Sequence, residues 1–180
     1  LLFAAAWLLY ANSLSNGFTL DDVDVIVNNR FLYSDTPLST VFSTSYRAGM
    51  NSVDGLYRPL VITSFMFNTS DPSNPFPFHF FNATLNALNT TLFFLLIFTI
   101  SSNILLSACA AIIFGFHPVH TEAVANIAGR PELLYTCFLF AAWIILEKRR
   151  STAWSSAAAA LCLFAALLSK ETAVMFPFMA

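Results

Sequence analysis

The sequence predicts an all-α protein, a polytopic membrane helix bundle, and three observations carry that prediction. Of its 180 residues, 57% are hydrophobic and 10% charged, against roughly 45–50% and about 25% in soluble domains. The mean hydropathy is +0.68. From Pro72 to Thr121 no Asp, Glu, Lys or Arg occurs, a stretch that no soluble core of this size needs. The apolar content excludes a disordered chain, and eight basic residues at a net charge of −2 cannot form the phosphate-tracking stripe of a nucleic-acid binder. The chain opens on Leu1 and closes on Ala180 inside an apolar run, so it reads as a piece of a longer protein, one membrane domain over residues 1–180.

A spanning helix needs roughly 20 apolar residues. Residues 1–14 read as a first span cut at its start, 78–100 as a second, 104–116 as a third, 131–146 as a fourth and 153–168 as a fifth, and a sixth opens at Ala173. The third and fifth are short, yet the breaks at Ser101-Ser102-Asn103 and Lys148-Arg149-Arg150 leave no better partition. Residues 15–77 form a loop too long for a turn and too small for a well-cored domain, which predicts that it lies on the membrane. Asp35-Thr36-Pro37 starts a helix in it, with Leu38, Val41 and Phe42 on one face. Tyr57-Arg58-Pro59 starts another, whose apolar run from Leu60 to Phe67 is too short to span and suits the interface or a wedge among the spans.

Positive residues favour the cytoplasmic side of short loops. With the Lys148-Arg149-Arg150 cluster there, alternation puts loop 15–77, connection 117–130 and connection 169–171 together on the opposite face, with most of the charged residues. Cys109, Cys137 and Cys162 fall inside apolar spans, so no disulfide is expected. Asn68-Thr69-Ser70 in the outer loop matches an N-glycosylation acceptor.

A few polar residues need a reason to sit where they do. Asp21-Asp22 directly follows the first span. Adjacent carboxylates repel, and partial burial raises the pKa of at least one, which suits a general base; a metal pair and a plain solvated loop start are the other readings. In the second span His79, Asn82, Asn86 and Asn89 fall on one face, which points into the bundle or a wet cavity. Asn86 and Asn89 read as interhelical hydrogen-bonding glue, whereas His79 and Asn82 lie at the outer end, within reach of the loop carboxylates. His117-Pro118-Val119-His120-Thr121-Glu122 places Pro118 at a helix start, with Gly129 ending the helix and Arg130 beyond it. Its H-x-x-H-x-E spacing is not that of a zinc helix, so no metal is assigned. Arg58, Arg130 and Lys170 read as outer-face cations for an anionic headgroup.

Taken in order, Phe18-Thr19-Leu20-Asp21-Asp22 with Ile26-Val27-Asn28-Asn29, Tyr57-Arg58-Pro59-Leu60, Asn74-Pro75-Phe76 with Phe78-His79 and Asn82, His117-Pro118-Val119-His120-Thr121-Glu122, Gly129-Arg130 and Ser169-Lys170-Glu171 make a set that resembles the transmembrane and tetratricopeptide-repeat-containing protein family. That family is a group of protein O-mannosyltransferases of the GT-C glycosyltransferase class. The resemblance covers nearly the whole chain and implies its N-terminal membrane part. It implies a multi-pass enzyme of the endoplasmic reticulum membrane that moves mannose from dolichyl phosphate mannose to Ser or Thr of secretory-pathway proteins, inverting the anomeric centre, with no cofactor beyond that donor. By the same resemblance Asp21 or Asp22 is the catalytic base. Tyr57, Arg58, His79, Asn82, His117, His120, Glu122, Arg130, Lys170 and Glu171 are then the donor- or acceptor-binding residues. Family members often carry a further histidine along the second span, where this chain has asparagines, and their tetratricopeptide repeats would follow after Ala180.

Two other classes compete. A transporter or channel is suggested by the polar stripe of the second span but would need paired halves and an ionisable midplane residue, neither of which the sequence has. A non-catalytic membrane scaffold would not need the acidic pair.

Overall fold

The computed structural model describes residues 1–50, 55–68, 71–147 and 152–178. The Lys148-Arg149-Arg150 cluster and Thr69-Ser70 of the glycosylation acceptor lie outside the described residues. About 75% of the chain is helical, and no strand occurs among the described residues. Among the described residues eight α-helices run in order: α1 (Leu2–Leu8), α2 (Leu38–Ser43), α3 (Pro59–Met66), α4 (Phe76–Ser101), α5 (Ile104–Gly115), α6 (His120–Ala125), α7 (Arg130–Glu147) and α8 (Ala153–Leu167).

Local sequence explains most of the boundaries. Asn74 Oδ1 accepts the Phe76 amide at 3.1 Å and Pro77 occupies the first turn of α4, where its missing N–H costs nothing. Ser102, in the left-handed region at φ 52°, closes α4 by donating its amide to Phe98. Asn103 then caps α5 by accepting the Leu106 amide at 3.0 Å. A reciprocal capping box between Thr152 and Ser155 opens α8.

Among the described residues two helical stretches are long and apolar enough to cross a membrane, Phe76–Ser101 and Ile127–Glu147. At about 1.5 Å per residue, α4 runs about 39 Å, whereas α5 and α8 reach about 18 and 22 Å, short of a hydrocarbon core of about 30 Å. The segment where a sixth span was expected is a 3₁₀ helix, Glu171–Phe178.

Helix α4 is the axis of the bundle: α1, α5 and α7 pack on it, and α8 packs on α7. Trp7 Nε1 donates to Thr84 Oγ1 at 3.1 Å, fixing α1 on α4. A side chain at Gly115 would overlap Thr90, so α5 ends beside Thr90 and residues 76–89 of α4 extend past it. That free half of α4 organises the long loop. Val25, Ile26, Phe31, Val41, Ile62 and Phe65 of the loop are buried with Phe78, Ala83 and Leu85 of α4 and with Leu133 and Leu134 of α7, in one core. The loop therefore does not simply lie on a membrane. It needs no core of its own because half of α4 supplies the missing wall.

Within that cap, α3 starts at Pro59 as its sequence predicts and is wedged inward, with Val61, Ile62 and Phe65 buried. Helix α2 starts one residue later than Pro37 suggests and buries only Val41 of its apolar trio, leaving Leu38 and Phe42 about 40% exposed. The helix expected from Pro118 to Gly129 is divided. His117 Nδ1 accepts the Val119 amide at 3.2 Å, which delays the start of α6 to His120. Asn126 then leaves helical geometry, and its side chain accepts the Ala128 amide to begin a 3₁₀ turn at Ile127–Gly129.

Candidate active site

The acidic pair sits on a turn built by Leu20, whose φ of 46° places it in the left-handed region, a conformation costing a non-glycine residue roughly 1–2 kcal/mol. This turn lets the Asp22 amide donate to Thr19 O at 2.9 Å, while Asp22 Oδ2 accepts from the Thr19 amide and hydroxyl at 3.2 and 3.4 Å. A π-helical turn, Val23–Val27, follows and buries Val25 and Ile26. The two carboxylates part company at this point. Asp22 is fully buried and accepts the Ala128 amide at 2.8 Å through Oδ1. Asp21 is exposed and lines a cavity. Burial raises the Asp22 pKa above the ordinary carboxylate value, opposed by the Ala128 and Thr19 amides and by the charge of His79.

The turn at residues 126–130 ties the site together. Asn82 Nδ2 donates to Asn126 O at 3.1 Å, and Asn82 Oδ1 accepts Arg130 Nε at 2.9 Å. Arg130, fully buried, also donates to Phe78 O at 3.0 Å and to Ser64 O at 3.4 Å. Its guanidinium lies 4.4 Å from the Phe65 ring centroid and 4.6 Å from that of Phe81, a cation–π arrangement that partly replaces lost hydration. Arg130 thus clamps α3, α4 and α7 together through neutral acceptors. Gly129 is needed for a close approach: a Cβ there would meet Ala123 O at 2.5 Å and Ala123 Cα at 2.6 Å.

The cavity, about 630 Å³, is walled by α4, α5, α6 and α7. Asp21, His120 and Glu122 line it, so three of the candidate site residues come together there. Asn86, Asn89, Asn126, Glu132 and Tyr135 also line it and were not among the site candidates. Phe114 and Phe140 close its apolar side, with the His120 ring centroid 4.6 Å from that of Phe114. Burial and the neighbouring His117 lower the His120 pKa, which favours the neutral ring.

The remaining candidates are placed around this cavity. Lys170 Nζ pairs with Glu132 Oε2 at 2.7 Å and lies 5.5 Å from the Tyr135 ring centroid, so it contacts two cavity-lining residues. Arg58 makes a two-point contact with Glu171, at 3.0 and 2.6 Å, and holds the Glu171 carboxyl below its ordinary value. Tyr57 donates its hydroxyl to Phe42 O at 2.7 Å, beside a separate shallow groove at the end of α2. His79 is buried and interacts electrostatically with Asp22, while His117 is exposed. No group of three or more His, Cys, Asp or Glu gathers to hold a metal ion among the described residues.

Glu132 was legible in one respect: an acid inside a predicted span is itself a signal of function. Asn86 and Asn89 share the face of His79 and Asn82, and no sequence feature distinguishes a packing asparagine from one bordering a cavity.

No family model and no solved structure matches the chain. It is 33% identical over 174 residues to mouse protein O-mannosyl-transferase TMTC3, covering 92% of this chain and 19% of that protein. It is 34% identical over 178 residues to the fruit-fly protein O-mannosyl-transferase Tmtc1, covering 95% of this chain and 21% of the relative. Mouse protein O-mannosyl-transferase TMTC1 is 40% identical over 146 residues, 78% of this chain and 15% of the relative. The chain thus spans about a fifth of the length of the curated relatives it matches. With the ordered motifs and this similarity together, the chain is a homologue of the transmembrane and tetratricopeptide-repeat-containing (TMTC) family of protein O-mannosyl-transferases, over about 92% of its own length.

Proposed function

We propose that this chain forms the acid-bearing, donor-binding part of a GT-C type membrane enzyme. That enzyme transfers mannose from dolichyl phosphate mannose to Ser or Thr of secretory-pathway proteins at the lumenal face of the endoplasmic reticulum membrane. One observation carries the reading: of two adjacent aspartates, Asp22 is buried and fully engaged, while Asp21 borders a cavity at the end of α5. The division of labour follows. Asp22 fixes the loop to the 126–130 turn, and Asp21 is the base.

A Ser or Thr hydroxyl is too weak an acid to ionise beforehand. Asp21 therefore takes its proton as the oxygen attacks the anomeric carbon, so that base and nucleophile act together. The new C–O bond forms as the bond from that carbon to the phosphate oxygen breaks, and the phosphate departs with the electron pair. A single displacement inverts the configuration. Of the three cations considered for the headgroup, Arg130 is occupied by protein acceptors and Arg58 by a two-point contact with Glu171. Lys170 is paired through a single oxygen of a cavity-lining glutamate. It is the cation best disposed to meet the departing phosphate, as a point charge.

A solute pathway along the α4 stripe receives no such support, because Asn82 and Asn89 are tied to Asn126 and Leu133 across the bundle. The full-length protein, purified with dolichyl phosphate mannose and a Ser/Thr acceptor peptide, should release dolichyl phosphate and mannosylated peptide. Absence of transfer to every secretory-pathway acceptor offered, with the donor intact, would overturn the reading. Engineered glycosylation sites beside Gly55 and beside Glu147 test its orientation: the first should be modified and the second not.

A further inference from the structure

Two buried side-chain groups on cavity-lining residues have no partner among the described residues. Asn86 and Asn89 are each 1% exposed, and both line the cavity. Asn89 Nδ2 donates to Leu133 O at 2.9 Å, which fixes the amide orientation and leaves Asn89 Oδ1 as an acceptor with nothing to accept; Asn86 Nδ2 is a donor with no acceptor. An unmet buried polar atom costs about 1–3 kcal/mol, more where hydrocarbon surrounds the helix. A donor and an acceptor three residues apart on one helical face, both buried in the wall of the same cavity, match a molecule whose groups donate and accept alike. Hydroxyls do both.

The rest of the cavity narrows the class. Its volume of about 630 Å³ is within the roughly 300–1,000 Å³ of small-molecule sites. Phe114 and Phe140 offer apolar surface on one side, and Asp21 stands on the wall. A pyranose has hydroxyls around its rim and C–H groups on its faces, so it can meet amides with its rim and aromatic rings with a face. We propose that Asn86 and Asn89 form a hydroxyl-binding subsite that holds the sugar ring of the donor against the Phe114 side of the cavity. This rests on the reading of the site as a glycosyltransferase, and it assigns to the two asparagines of α4 a role beyond joining helices. They are positioning residues for the ring, and Asp21 and Lys170 deal with the proton and the phosphate.

The test compares two lipids that differ only in the sugar. Binding of dolichyl phosphate mannose and of dolichyl phosphate is measured on the full-length protein in phosphatidylcholine nanodiscs, for wild type, Asn86→Leu and Asn89→Leu. Asn86 Nδ2 has no protein partner to lose, so Asn86→Leu should melt as wild type does, even if Asn89→Leu, which breaks the Leu133 bond, does not. Expected is a loss of about tenfold for the mannosylated lipid, equal to about 1.4 kcal/mol, with dolichyl phosphate affinity unchanged. Affinities for both lipids unchanged from wild type in Asn86→Leu would show a cavity that holds water only, and a parallel loss for both would show packing; either overturns the subsite while wild-type transfer stands. A wild type that neither binds the mannosylated lipid nor transfers sugar removes the enzymatic reading and the subsite with it.

Discussion

The Asp22 carboxylate accepts the Ala128 amide at 2.8 Å across 106 positions of sequence, joining the turn after α1 to the turn before α7. Asp22 is fully buried and has Thr19 as its other partner. Replacing it with Ala removes a charge-assisted acceptor from two buried turns and should cost about 2 kcal/mol. The check is a thermal melt of the full-length protein in detergent, in which Asp22→Ala should lower the midpoint by several degrees. Asp21→Ala, at an exposed position, should leave the midpoint where it is.

The pH dependence of stability separates two carboxylates by sign. Burial raises the Asp22 pKa, so the folded state holds its proton more tightly than the unfolded state does. Its contribution is present below the ordinary aspartate value and is lost as pH rises through the higher folded value. Glu171 behaves oppositely. Arg58 lowers its pKa, so its contribution is present above the ordinary glutamate value and lost as pH falls through the folded one. The Glu171 side chain is 51% exposed, and the effect should stay under about 1 kcal/mol. Melting between pH 3 and pH 7 should show that Asp22→Asn flattens the slope on the less acidic side of this range, and that Glu171→Gln flattens it at the acidic end.

Much of this fold is legible in the sequence where the signal is local. Pro59 marks a helix start and Ser101-Ser102-Asn103 a break that the structure contains, because each acts on the backbone within a turn of itself. The site is less legible, since its connections are long-range. Adjacent Asp21 and Asp22 look equivalent as letters, and only the Ala128 amide, brought in from the other side of the bundle, separates the buried acid from the exposed one. Arg130 likewise reads as a free cation until Phe65, Phe78 and Asn82 are packed around it. The long loop reads as a surface segment because the sequence does not reveal that α5 stops at Thr90 and frees half of α4 to cover it.

Gly129 bears on both fold and site. A methyl group there meets the Ala123 backbone, which has no flexible end to swing aside, so Gly129→Ala should be destabilising by about 1–3 kcal/mol. It should also move Ala128 away from Asp22. Hydrogen exchange at the Ala128 amide, slow in wild type and accelerated in Gly129→Ala, reads this displacement directly.

Lys170 and Glu132 should behave as a charge held ready. Lys170→Met should raise KM for dolichyl phosphate mannose or lower kcat by at least about tenfold, because a point charge near the departing phosphate is lost. Glu132→Gln frees the lysine and should tighten binding of dolichyl phosphate in a salt-sensitive way. Steady-state transfer kinetics measure the first effect, and titrations of dolichyl phosphate at low and high ionic strength measure the second.

The most direct measurement is single-turnover mannose transfer by the full-length protein carrying Asp21→Asn, beside wild type and Asp22→Asn, at a temperature where all three remain folded. Asp21→Asn should cut the rate by about 10²–10⁴-fold with donor binding intact, and Asp22→Asn should retain a substantial rate wherever its fold is retained. Undiminished transfer by Asp21→Asn, with the loss found instead in a folded Asp22→Asn, would contradict the assignment of Asp21 as the base.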